Sequence, residues 1–112
     1  MKLKDFCIID STLREGENFS KASFNLRDKI RIIHALDEIG IDFIEIPSPS
    51  ISGPYFDDSK KITKEKLNAK ISTQIECCKN EVDRALCAGI RSINIHVGVS
   101  KYLLKNNCKK SM

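Results

Sequence analysis

Hydrophobic and polar positions along this chain switch between two periods, and the switches mark its elements. Short apolar runs at residues 6–9, 42–46, 69–75 and 92–97 read as strands. Between them, apolar residues recur at helical spacing. Leu26, Ile30, Ile33 and Leu36 form one stripe, preceded by Asn25, which can cap the first backbone N–H groups, with Asp28 favourably placed in the first turn. Gly40 stands where a left-handed residue closes that helix. Pro47 and Pro49 stop the second strand, and the turn formers of 47–54 make a loop, with a second helix between 57 and 67. Val82, Ala85 and Leu86 share one side of a third helix over 80–88, closed by Gly89, and a fourth helix starts near Lys101. The order is βαβαβαβ, with connections short enough for right-handed parallel crossovers. On periodicity alone, a doubly wound sheet and a barrel are both open.

Composition narrows the class. A chain of 112 residues with 41% hydrophobic content holds one soluble domain at most. No apolar run approaches the ~20 residues that span a bilayer, so no membrane partner is expected. The start Met1-Lys2-Leu3-Lys4-Asp5 lacks the apolar stretch of a signal peptide. Net charge is +4, but the lysines are scattered, tryptophan is absent, and no basic and aromatic stripe points to nucleic acid. Cys7, Cys77, Cys78, Cys87 and Cys108 form neither a CxxC pair nor a bridging framework. An odd count without a secretion signal points to a reducing, cytoplasmic setting, with most thiols packed as small buried hydrophobes.

The chemistry concentrates in Ile9-Asp10-Ser11-Thr12-Leu13-Arg14-Glu15-Gly16-Glu17-Asn18, an apolar strand running into a turn that holds an arginine among carboxylates. Charges of both signs behind a buried strand make either a salt-bridged loop or a binding site. The run Asp10 to Glu17 resembles the opening signature of homocitrate synthases. These belong to a group of TIM-barrel, metal-dependent acyltransferases and lyases that includes isopropylmalate synthase and hydroxymethylglutaryl-CoA lyase. Ala35 to Glu45 and the closing Lys110-Ser111-Met112 are similar to that branch too, so the resemblance covers nearly the whole chain. It implies the N-terminal half of a (β/α)8 barrel: three β/α units, a fourth strand and the start of a fourth helix, as one partial catalytic domain over 1–112. A complete barrel needs about 250 residues, so open edges that recruit another copy or a partner chain are expected.

The resemblance also implies an activity. Such enzymes condense acetyl-CoA with a 2-oxo acid, 2-oxoglutarate in the homocitrate branch of lysine biosynthesis, then hydrolyse the thioester. Arg14 matches the arginine over the ketone and enolate oxygens. Glu15 matches a ligand of the divalent cation, Mg2+, Mn2+ or Zn2+. Asn18, Gln74, Asn94 and His96 fall at substrate-facing positions, with Asp10 and Glu45 behind them, and Glu17 reads either as a further group behind the site or as solvated, the latter favoured. By alternation Ser72, Gln74 and Glu76 share one face of the third strand, and Ser92, Asn94 and His96 one face of the fourth.

Several positions depart from the family pattern: Asn18 stands for the usual Gln, Gln74 for a His, Asn94 for an Asp, and Glu76 adds negative charge. These leave open a citrate-, isopropylmalate- or phosphonomethylmalate-type acceptor. The family's His-x-His metal pair has no counterpart, since His34 and His96 are the only histidines and lie far apart. His34 reads as a partly exposed packing residue. His96 reads either as an inward histidine satisfied by Asn94 or Glu76, or as a substrate contact. The isolated chain is therefore expected to be inactive, and a non-catalytic remnant or half-barrel is the reading from another class.

Overall fold

The computed structural model describes residues 6–17 and 24–103. Four strands, β1 (Ile9–Asp10), β2 (Phe43–Ile46), β3 (Lys70–Glu76) and β4 (Ser92–His96), alternate with five helices. The helices are α1 (Thr12–Gly16), α2 (Leu26–Glu38), α3 (Gly53–Ile62), α4 (Lys79–Cys87) and α5 (Lys101–Leu103). The strands make one parallel sheet in the order β1-β2-β3-β4. A doubly wound sheet reverses its strand order at a switch point. The consecutive order seen here is that of the first strands of a barrel.

Register sorts the side chains. Ile9 pairs with Phe43, Glu45 with Ser72, Ser72 with Ser92 and Gln74 with Asn94, so these residues share one face. The other face carries Ile44, Ile46 and Thr73, all buried. There Ile44 and Ile46 pack with Ile33 of α2, Ile62 of α3 and Ala85 of α4. Among the described residues, the amphipathic helices thus cover one side of the sheet, and none of them covers the polar side. Among the described residues, no helix is long and apolar enough to cross a membrane.

Three elements differ from the sequence expectation by more than a residue or so. The first strand starts at Ile9, not Phe6, because Asp42 Oδ2 accepts the Ile8 N–H at 2.8 Å and removes it from the ladder, and Phe6 stands exposed. Helix α3 starts at Gly53, because Ser52 caps it by accepting from the Tyr55 N–H, and Pro54 suits a first turn. The polar signature, read as a turn, folds into α1. The thiols also differ from expectation. Cys7, Cys78 and Cys87 are exposed, at the sheet edge, the α4 N-cap and the end of α4, and Cys77 is half-buried. Cys108 and residues 110–112 lie outside the described residues.

Candidate functional site

Helix α1 has five residues, too few to be stable alone. Four contacts hold it. Leu13 is fully buried in the core. Asp10 turns the chain into the helix: Oδ1 accepts the Thr12 N–H at 2.9 Å and Oδ2 the Thr12 hydroxyl at 3.0 Å. Ser11 occupies the N-cap position yet makes no capping bond. Its hydroxyl donates instead to Glu45 Oε1 at 2.7 Å. Arg14 Nε lies 3.3 Å from Glu45 Oε2, at ion-pair distance but outside hydrogen-bond geometry.

Glu45 organises this side of the sheet. It is 4% exposed at the third position of β2, and Asn94 Nδ2 also donates to its Oε2, at 3.2 Å. A carboxylate buried this deeply is tolerable only with such partners. Arg14 bridges outward from it, with Nη2 3.0 Å from Glu15 Oε1. Glu15 itself is 61% exposed, leaving an open carboxylate beside a guanidinium braced from behind. Arg14, Glu15, Glu45 and Asn94 are thus brought together, while Asp10 serves the turn into α1 through Thr12.

The remaining positions stand apart. His96 Nδ1 is 3.4 Å from Glu76 Oε2 at the far end of the paired strands, both side chains about half exposed. Gln74 is half-buried on the open face. Asn18 lies outside the described residues. His34 is 46% exposed and pairs with Glu65 at 3.1 Å on the helical side of the sheet. An open hollow of about 400 Å³ borders Asn94 and is lined by Ile9, Phe43, Ser72 and Ser92. Ser72 Oγ is buried there without a hydrogen-bond partner.

Glu17 is not solvated. Its side chain is 13% exposed and meets a buried lysine, Lys29, whose Nζ lies 3.3 Å from Glu17 Oε1 and 3.1 Å from Asp58 Oδ2. The Tyr55 hydroxyl donates to Glu17 Oε2 at 2.5 Å. This hydrogen bond, then burial, then the charges of Glu17 and Asp58 push the Tyr55 pKa up to about 12. The sequence held one signal for Lys29: it falls three residues after Leu26 and four before Ile33, on the apolar stripe itself.

Among the described residues, no three His, Cys, Asp or Glu side chains gather as a metal-holding group. Glu15 suits one position around a hard cation, but the described residues do not complete a metal site.

The family model described as HMGL-like matches residues 5–112. The chain is 41% identical over 110 residues to a protein named mitochondrial homocitrate synthase in Saccharomyces cerevisiae, covering 98% of this chain and 25% of that one. It is 40% identical over 110 residues to the cytosolic isozyme of homocitrate synthase in the same yeast, covering 98% and 26%. It is 35% identical over 104 residues to a probable 2-isopropylmalate synthase of Archaeoglobus fulgidus, covering 93% and 21%. The chain thus spans about a quarter of the length of these relatives, their N-terminal part. With the consecutive parallel sheet and the matched residues 5–112 in agreement, the chain belongs to the HMGL-like family.

Proposed function

We propose that this chain is the part of a homocitrate-synthase-like acyltransferase that presents an arginine and a carboxylate to a 2-oxo acid and acetyl-CoA. The observation that carries the reading is Arg14 braced against buried Glu45 while its Nη2 meets the open Glu15 carboxylate. A guanidinium fixed from behind offers its remaining N–H donors to oxygen that gains charge as a ketone is attacked, with little reorganisation at that moment. Glu15 supplies one ligand of a divalent metal, Mg2+, Mn2+ or Zn2+, whose further ligands come from outside the described residues. That metal would polarise the ketone when bound. The 112-residue chain alone is inactive in this reading. The names of the two yeast relatives favour a homocitrate-forming reaction, in which the acceptor would be 2-oxoglutarate and the setting lysine biosynthesis; one of the two is named cytosolic, in keeping with a cytoplasmic location, and the other mitochondrial.

A second acceptor, of the isopropylmalate type and so without a second acidic group, is favoured by one observation. Glu76 projects a second carboxylate on the strand pair that carries Asn94, with only His96 beside it. A dicarboxylate entering there meets like charge.

The test joins residues 1–112 to the remaining three quarters of the yeast mitochondrial relative and follows thioester cleavage with a panel of 2-oxo acids. Turnover with one acid, lowered about 100-fold or more by Arg14→Lys and by Glu15→Gln, is expected. A folded chimera inert toward every acid would sink the proposal and leave the non-catalytic reading. Turnover by the isolated chain, abolished by Glu15→Ala, would overturn its assignment as incomplete.

A further inference from the structure

Lys29 is 3% exposed, and a lysine is almost never buried without partners. Its Nζ sits between Glu17 and Asp58 and 4.7 Å from the centroid of the Tyr55 ring. Four side chains from three places therefore meet: Glu17 at the C-cap of α1, Lys29 in the first turns of α2, and Tyr55 and Asp58 in α3. The group holds one positive charge against two negative ones. Its hydrogen-bonding phenol stays protonated through the neutral range, since its pKa is pushed up to about 12.

What the group grips is informative. Glu17 follows Arg14 by three residues and Glu15 by two, on a helix whose other ties among the described residues include Leu13, Asp10, the Phe24 ring close against Gly16, and the Ser11 and Arg14 contacts to Glu45. With one end of a five-residue helix held at Glu45 and the other released, the helix can rotate about its axis and carry Arg14 off Glu45. With both ends held, one orientation remains.

We infer that Lys29 and Tyr55 are positioning residues that, through Glu17, set the orientation of α1 and so aim Arg14 and Glu15. The inference rests on the reading of Arg14 and Glu15 as the working pair, but its test uses no substrate and no metal, so the two can fail separately. In the 112-residue chain labelled with 15N, the Arg14 Nε–H, buried 3.3 Å from Glu45 Oε2, reports by its shift and solvent exchange whether the guanidinium stays beside Glu45, and backbone amides of Ile44, Ile46 and Thr73 report the fold. Tyr55→Phe removes one hydroxyl and keeps the ring. It is expected to shift the Arg14 Nε–H signal and speed its solvent exchange about tenfold, while exchange at the three core amides changes less than about twofold. Glu17→Gln keeps an acceptor for Tyr55 but drops the charge facing Lys29, and should give a smaller effect in the same direction. Lys29→Met strands two carboxylates and is expected to weaken the fold as a whole, and Lys29→Arg should restore both the fold and the Arg14 signal. An Arg14 signal unmoved by Tyr55→Phe, or moved only in step with the core amides, would overturn the inference and leave the group as a fold-stabilising ion cluster.

Discussion

Glu45 and Lys29 are buried charges of opposite sign, one at each end of the same short helix. Each is tolerated for one physical reason: its partners replace the water it lost. Tyr55 gives that network a pH signature. Its folded pKa of about 12 lies above the ordinary value near 10, so the folded state holds the proton more tightly. The resulting stabilisation is complete below about pH 10 and is lost as pH rises toward 12. Because the phenol is partly open to solvent, about 1 kcal/mol is the expected extent. Urea unfolding at pH 9, 10 and 11 should show a steeper decline in the wild-type chain than in Tyr55→Phe, and equal slopes would refute the coupling to Glu17. Glu45 was legible beforehand only through the resemblance, as a group behind the substrate-facing positions. Lys29 was not, because a lysine on a helix reads by default as solvated, and only its position on the stripe spoke otherwise. Glu17 was misread for the same reason, since its two partners lie 12 and 38 residues away in sequence.

At the scale of elements, two glycines close α2 and α4 with the same backbone angle, φ +91°, yet sit in different surroundings. A Cβ at Gly40 would meet nothing within 4 Å. At Gly89 it would stand 2.7 Å from Thr63 Oγ1, a hydroxyl that already donates to the Ala88 carbonyl at 2.8 Å and ties α3 to the end of α4. Gly40→Ala should therefore lose about 1 kcal/mol, the strain of the left-handed angle alone. Gly89→Ala should lose about 2–3 kcal/mol, because the Thr63 hydrogen bond is displaced as well. Chemical denaturation of the two variants checks this, and equal losses would show that Thr63 yields freely. Both closures were legible in sequence, as were α2 with its Asn25 cap, where Oδ1 accepts the Asp28 N–H at 2.8 Å, and three of the four strands to within a residue or so. The misses share a cause. Pro54 reads as a loop former although it suits a first helical turn, and α1 carries too few apolar residues to show a period, being held by tertiary contacts that no local pattern encodes.

Among the described residues, the molecule presents a sheet with one face covered and two edges open. Among the described residues β1 pairs only with β2, and β4 only with β3. The polar face, with Ser72 Oγ buried and unpartnered, has no covering layer there either. Parallel sheets are normally covered on both faces, and an exposed apolar edge is a template for another strand. The β4 side carries Ile95, Val97 and Val99 exposed, and the β1 side Phe6, Ile8 and Ile9, with Ile95 56% and Ile8 55% exposed. The 112-residue chain is therefore expected to associate through these edges, with copies of itself when nothing else completes the sheet. Sedimentation velocity between about 1 and 100 μM should show species heavier than 12.7 kDa growing with concentration. Ile95→Lys places a charge on the β4 edge and should shift the population toward monomer, while Ile51→Lys, a comparably exposed apolar site in the loop after the interior strand β2, should not. A chain that stays monomeric at 100 μM, or that associates equally with Lys at position 95, would mean that the edges are closed by its own residues. The open polar face would then be the surface a substrate meets directly, with Glu45 and Asn94 at its floor.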